Sequence, residues 1–301
     1  MNIGNVYLDL ETYNSKNDIY SDGDIENEIL EIVKEGKEKE VLKEDNRWPI
    51  LYHLSDVRKN ILNWYPFEKD KSILEIGCGC GAITNLFCEK NLEITAVESS
   101  KRRAIIAATR NKNYSKLKIN VGDFNLIEFK QKYDYITLIG VLEYAPMFCK
   151  SGNPFKDFLI KCRNLLKDTG CLFIAIENRL GIKYWAGATE DHTGKLFDGI
   201  EGYSLDSKVK TFSKNELTSL VMEAGFKGID WYYPYPDYKL PIQIFSDKFL
   251  PTGEFLYPDI CSFDRNRFSF FNEKKVIQNL ADCSGFERFS NSFLLICKGG
   301  Q

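Results

Sequence analysis

Three glycines, Gly77, Gly79 and Gly81, stand in the stretch ILEIGCGCGAIT, directly after an apolar run and before a helical one. Glycine lets a backbone turn sharply at such a place and approach a ligand closely. Gly77, Gly79 and Ala82 also satisfy the loose dinucleotide fingerprint, so the loop alone leaves a nicotinamide cofactor open. Three acids and a ring narrow the chemistry. Glu75 lies two residues before Gly77, where a carboxylate repels a pyrophosphate but suits a cationic amino-acid group. Glu98, followed by Ser99, ends the next apolar run, and a carboxylate there can accept both hydroxyls of a ribose in either reading. Asp123 and Phe124, in NVGDF, end the third run, a carboxylate and a ring suited to the amine and the face of an adenine. Adenine, ribose and a cationic methionine end without phosphate describe S-adenosylmethionine.

A second set of chemistry-bearing residues lies in GATEDHTGKLFDGIEGY, Gly187 to Tyr203, which holds one of the chain's two histidines. His192 is the candidate base for a hydroxyl acceptor, because imidazole exchanges its proton near neutral pH, and Glu190 or Asp191 can orient its ring. The alternative is a histidine that holds the segment closed by hydrogen bonds to backbone. With one histidine here and no second cluster, a metal site is not expected. Tyr203, which ends the segment, is a candidate to touch the acceptor, and Asp237 and Tyr238, in YPDYKLP, are candidates to close the acceptor pocket or to form a packed aromatic turn. Glu143 and Tyr144 stand to touch acceptor or cofactor, or else to start a helix and pack. Tyr52 and His53, in RWPILYHLSDVRKN with Arg47, are candidates to fold over the cofactor; the plain alternative is a packing helix. The basic run Lys101-Arg102-Arg103 reads as solvated surface. Asp9 and Glu11, in YLDLETY, imitate the first motif of a two-metal exonuclease, but they alternate with Leu8 and Leu10 as in a half-exposed strand.

The elements that must position these residues are legible as alternation. SILEIG, EITAVES, LKINVG, YDYITLIGVL and CLFIAIEN are strand candidates, with helical stretches between them. Continuous apolar strands alternating with helices predict a parallel sheet covered on both faces. The alternation breaks after Asn178 and resumes at TFSKNELTSLVMEAGF, where Ser213 and Glu216 make a capping box and Gly225 a stop. The strand GIDWYYPYP follows, then about fifty irregular, aromatic-rich residues, then a last strand NSFLLICKG. The expected fold is α/β, a Rossmann-like doubly wound sheet, mostly parallel with an antiparallel last strand. Its parts are an N-terminal extension (1–46), a core (47–240) with a lid insertion (179–210), a second insertion (241–286) and the last core strand (287–301). Long interruptions of a compact domain are usually functional. Ligands of such folds bind outside the carboxyl ends of the strands, so a lid leaving the fifth strand is expected to face the substrate.

Together LEIGCGCG, AVESS, VGDF, YDYITLIGVLEY and LLKDTGCLFIAIEN resemble the successive motifs of class I S-adenosylmethionine-dependent methyltransferases. The resemblance implies backbone contacts to the cofactor from Gly77, Cys78 and Gly79, within the loop that Gly81 completes. It further implies Glu75 near the methionine end, Glu98 on the ribose, Asp123 and Phe124 at adenine, and Gly140 near the amino group. RWPILYHLS, the segment from Glu177 to Tyr203 and YYPYPDYKLP are similar to bacterial methyltransferase-domain proteins found with glycosyltransferases of surface polysaccharide synthesis. That similarity implies a sugar or glycan-linked hydroxyl as acceptor and a glycosyltransferase as partner. The other readings are methylation of an amine or RNA, a nicotinamide-dependent oxidoreductase, and a catalytically silent cofactor-binding module. A net charge of −3 supplies no basic footprint for nucleic acid, and no apolar run approaches a membrane span. Nine cysteines without a Cys-x-x-Cys pair read as reduced thiols, and the expected compartment is the cytoplasm.

Overall fold

A computed structural model describes residues 1–15, 22–149, 151–204, 207–257 and 267–299. Parts of the expected extension and insertions, notably 16–21, 205–206 and 258–266, lie outside the described residues. The fold is Rossmann-like α/β with parallel strands and antiparallel carboxyl-terminal ones, and the chain divides into two compact units. One comprises residues 1–138 with 165–170, the other 139–164 with 171–301.

The first unit carries β1 (Asn2–Ile3), β2 (Val6–Asp9), β3 (Ser72–Ile76), β4 (Glu93–Glu98), β5 (Leu117–Val121) and β6 (Tyr133–Ile139). They lie in the order β1-β2-β5-β4-β3-β6. Apart from the antiparallel β1–β2 pair, every pairing in this row is parallel. Sequential strands run outward from β3 to β5, and β6 returns to the other side of β3. That reversal is a topological switch point, where such folds leave a crevice for a ligand. The glycine loop leaves β3 there.

The first 46 residues do more than extend the core. Val6 and Leu8 of β2 are fully buried while Tyr7 is exposed, the period-two pattern expected of this stretch, and β2 pairs with β5. The charge-rich segment forms helices at Ile25–Glu35 and Glu38–Glu44. The first is amphipathic, and Ile29, Ile32 and Val33 pack with Ile50, Leu54, Ile106 and Cys80 of the glycine loop. Full burial of three aliphatic side chains contributes roughly 1.5–3 kcal/mol each.

The second unit holds β7 (Leu166–Glu177) from Cys171 onward, with β8 (Gly228–Tyr235), β9 (Gln243–Ser246) and β10 (Ser292–Lys298). Here β10 runs antiparallel to both β7 and β8, with Ser292 opposite Glu177, and β9 is antiparallel to β8. The expected irregular stretch before the last strand contains β9 and a helix, Glu273–Asp282, capped by Asn272. QIFS is too short to declare itself as a strand, and it forms because the chain folds straight back along Tyr232–Tyr235. The capping box at Ser213 and Glu216 opens the helix Lys214–Glu223 as expected.

Candidate functional site

The first unit contains the glycine loop. Gly77, Gly79 and Gly81 all have positive φ, at 77°, 53° and 79°. At Gly81 a Cβ would come within 2.8 Å of Ala107, so this glycine lets the loop pack on the following helix; at Gly79 a Cβ would meet nothing within 4 Å. Gly79 therefore presents bare backbone on an open side. The N–H groups of Gly77 and Cys78 both donate to the Val97 carbonyl, at 2.9 and 3.1 Å, because the β3–β4 ladder continues into the loop. The N–H of Gly79 donates to Glu98 Oε2 at 2.8 Å. Glu98 is also held by the Ser100 N–H at 2.9 Å and the Ser99 hydroxyl at 3.3 Å, which fixes its carboxylate at the loop.

Glu75 is 4% exposed and accepts one hydrogen bond, from the Thr84 hydroxyl at 2.7 Å. Burial, with Glu98 nearby, pushes its carboxyl up to about 8, against the pull of Thr84 and Arg58. A buried acid bonded to a hydroxyl and in no ion pair among the described residues suits a cationic group. Asp123 caps the short helix Phe124–Leu126 by accepting the Asn125 N–H at 2.8 Å, and Phe124 is buried against Phe129.

Tyr52 and His53 lie in the helix Trp48–Leu54. His53 is buried and its Nε2 meets Asp22 at 2.7 Å, while Tyr52 carries the Arg58 guanidinium over its ring. Burial holds the His53 imidazole below its usual value, opposed by Asp22. The expectation of a solvated basic run at 101–103 is corrected here. Arg103 is 6% exposed, and it binds Glu26 and Asp22, each at 2.7 Å. A guanidinium between two carboxylates can be buried where a lone one cannot.

The second unit gathers the remaining residues into a buried polar cluster. His192 is held through Nδ1, 2.9 Å from the Tyr144 hydroxyl, and its Nε2 stands 3.5 Å from Glu177 Oε2. That distance makes an ion pair, but the atoms do not form a hydrogen bond. Glu143 and Glu177 are 1% and 0% exposed. Lys239 binds Glu177 at 2.8 Å and Asp191 at 2.7 Å; Lys183 binds Asp191 at 2.8 Å and Asp237 at 3.1 Å. Tyr238 is buried, and its hydroxyl donates to Glu177 at 3.3 Å. A Cβ at Gly140, whose φ is 69°, would fall 2.7 Å from that hydroxyl.

The ring partners differ from those expected. Glu190 accepts the N–H groups of His192 and Thr193, at 2.8 and 2.6 Å, and the Tyr203 hydroxyl at 3.1 Å. It therefore shapes the turn, Asp191 binds the two lysines, and Tyr144 with Glu177 orients the imidazole. Burial opposes a charge on His192, yet Glu177, Glu143 and Glu190 raise it to about 9, so the resting imidazole is protonated at neutral pH. Burial, with Glu177 adjacent, raises Glu143 to about 8. Burial also works on Glu177, but Lys239 and His192 outweigh it and hold this carboxylate well below its usual range.

Glu177, Lys183 and Lys239 were not among the residues singled out from sequence. Glu177 had a signal, an acid ending an otherwise apolar strand; the lysines had none, because lysine in a polar segment is usually solvated.

The comparisons with known proteins agree with the geometry of the first unit. Residues 74–172 match the family described as methyltransferase domain. A ubiquinone biosynthesis O-methyltransferase of Glaesserella parasuis is 31% identical over 121 residues, 38% of this chain and 48% of that protein. A ribosomal RNA small subunit methyltransferase A of Mesomycoplasma hyopneumoniae is 41% identical over 76 residues, 25% of this chain and 29% of the other. The chain thus spans about half the length, or less, of the curated relatives it matches. A structure of the Haloferax volcanii Trm112 methyltransferase activator in complex with its partner contains a chain that shares the fold, with a TM-score of 0.50 at 16% identity over 91% of this chain and 98% of that one. The matched segment is an S-adenosylmethionine-dependent methyltransferase domain. No described helix is long and apolar enough to cross a membrane.

Proposed function

We propose that this protein transfers the methyl group of S-adenosylmethionine to an oxygen of a polar small molecule. The observation that carries the reading is the buried Glu143–Glu177–His192 cluster beyond strand ends of a methyltransferase domain. The Gly77–Gly81 loop leaves β3, Glu98 ends β4 and Asp123 follows β5; Glu143 follows β6 and Glu177 ends β7. In this fold the carboxyl ends of strands are where ligands bind.

Each residue then has a role. The exposed backbone of Gly79 lets the cofactor approach, Glu98 receives the ribose hydroxyls, and Asp123 with Phe124 receives adenine. Glu75 takes the cationic methionine end, which replaces the proton its carboxyl otherwise keeps. Gly140 keeps Tyr238 close to its own backbone, where a side chain would push that hydroxyl away. Methyl transfer from sulfonium is an in-line displacement: the acceptor oxygen bonds to carbon as the carbon–sulfur bond breaks, and S-adenosylhomocysteine leaves. Alignment and exclusion of water supply much of the rate. The acceptor's proton passes to the Glu177 carboxylate, the member of the cluster that is ionised at rest, with His192 and Glu143 beside it to share the charge. Asp191, Asp237 and Glu190 position that cluster through Lys183, Lys239 and the 190–193 turn.

Oxygen as acceptor is favoured by the relatives named O-methyltransferases and by carboxylates able to take a hydroxyl proton. A carbohydrate hydroxyl is our choice among them, on the similarity of the segments around 177–203 and 232–241 to polysaccharide-associated methyltransferase-domain proteins; the relatives above lend that link no support. The relative acting on ribosomal RNA keeps RNA as the second reading, although a net charge of −3 argues against a phosphate-binding surface.

Two measurements test this. S-adenosylhomocysteine should raise the melting temperature by mass action and NADH should not; the reverse would sink the cofactor assignment. In a mass-spectrometric screen for methyl transfer, a hydroxylated small molecule, sugars included, should be methylated and a structured RNA should not. His192→Ala should then lower turnover at least a hundredfold, on the scale of a lost proton-handling group.

A further inference from the structure

We propose that Glu143, Glu177 and His192 form a binding site for one divalent cation, of the manganese or zinc class. One ligand atom from each residue lies within 4.8 Å of the others. Around one such cation, ligand atoms stand about 3 Å apart, so small side-chain rotations close the set.

The acids alone would not make a site. A separate observation concerns where their atoms are already committed. Glu143 Oε2, Glu177 Oε2 and His192 Nε2 are all buried and have no hydrogen-bond partner among the described residues, the last two meeting only each other across 3.5 Å. The opposite atoms on two of these side chains are engaged: Glu177 Oε1 takes Lys239 at 2.8 Å, and His192 Nδ1 meets the Tyr144 hydroxyl at 2.9 Å. Fixing one ring nitrogen and one carboxylate oxygen from outside leaves the other atoms aimed inward, the arrangement that orients metal ligands. A buried carboxylate oxygen without a donor is costly, and natural interiors avoid it unless something else fills the role.

Charge bookkeeping points the same way. Lys183 and Lys239 provide two positive charges against the carboxylates of Asp191, Asp237 and Glu177. Glu143 supplies a fourth carboxyl group, and a dication can take the place of the protons that Glu143 and His192 otherwise hold, with no change in the net charge of the cluster. Lys239 would repel a cation, but it lies on the Oε1 side of Glu177 and is also held by Asp191. Two carboxylate oxygens and one imidazole nitrogen make a mixed hard and borderline donor set, suited to manganese or zinc.

The role of this cation rests on the acceptor-side reading given above: it would hold the acceptor oxygen and favour loss of its proton. The test does not depend on that reading. The full chain is stripped with a chelator and dialysed, then titrated with Mn²⁺ by calorimetry and electron paramagnetic resonance, with Zn²⁺ as competitor. One saturable Mn²⁺ per chain, displaced by Zn²⁺, is expected, with affinity lowered at least tenfold in Glu143→Gln and in His192→Ala. Both variants should still be stabilised by S-adenosylhomocysteine, which shows that they fold. No saturable uptake of either ion, or uptake that both variants leave intact, overturns the site. Metal binding without methyl transfer to any hydroxyl would remove the functional reading and leave the site standing.

Discussion

Two buried glutamates, Glu75 in the first unit and Glu177 in the second, have opposite acid strengths for one reason. Both are nearly inaccessible, at 4% and 0% exposure. Glu75 has one hydroxyl for company and is raised to about 8 by burial; Glu177 has Lys239 and His192 and stays ionised in spite of burial. Burial alone neutralises an acid, and a counter-charge keeps it an anion. Glu75 thus resembles a socket for a cation supplied by a ligand, whereas the second cluster brings lysines of its own.

The comparison breaks most sharply at Asp191, which both lysines of the second cluster share. Asp191→Asn should leave two buried ammonium groups facing each other with one fewer anion. The expected loss is about 3–5 kcal/mol, the scale of a broken buried pair, read as a lower denaturation midpoint. Adding Lys183→Met should recover part of that loss, since the two positions are coupled. A loss under about 1 kcal/mol would mean that the charges are solvated and that the second unit does not differ from the first in this way.

Glu75 sharpens the other half. Its folded value, about 8, exceeds the ordinary 4.5, so the folded protein holds a proton that the unfolded chain releases. The group therefore costs stability progressively as pH rises from about 4.5 through 8, in full on the order of a few kcal/mol. Glu75→Gln should melt higher than the parent at pH 9 and close to it at pH 5. The same variant should bind S-adenosylhomocysteine at least tenfold more weakly at pH 7.5, because the amide cannot take the ligand's ammonium as an anion. A variant that melts lower at pH 9 would show that Glu75 is paired within the protein.

What the sequence disclosed follows the same division. The Gly77–Gly81 loop, Glu75, Glu98 and Asp123 were legible because strand, turn and acid are neighbours in the chain, and their spacing is set by backbone geometry. The second cluster joins Tyr144, Glu177, Lys183, Asp191, His192 and Lys239 through contacts up to about sixty residues apart, as in the Tyr238–Glu177 hydrogen bond. Periodicity carries no information about such pairings. His192 was conspicuous by type, yet its partners were misassigned to adjacent acids, because Glu190 turns back to cap its own loop. Arg103 was misread for a related cause: its carboxylates, Glu26 and Asp22, come from a segment about eighty residues earlier.

The smallest expected effect belongs to a charge pair that is neither socket nor cluster. Arg179 binds Glu216 at 2.7 Å and so ties the start of the 179–210 insertion to the helix Lys214–Glu223. Glu216 is half-buried; burial raises it, but Arg179 and Ser213 outweigh that and hold it near 2. Its contribution is present above the ordinary carboxylate value of 4.5 and is lost as pH falls toward 2. Ser213→Ala should cost about 1 kcal/mol at pH 7, and the part of that cost that comes from its bond to the Glu216 carboxylate should fade as pH falls toward 2. Glu216→Gln should cost a similar amount at pH 7, with the gap from the parent closing below pH 4. If the Glu216→Gln gap stays constant across that range, the side chain acts as a cap alone, and Arg179 secures the insertion through its other bond, to the Gly199 carbonyl at 3.0 Å.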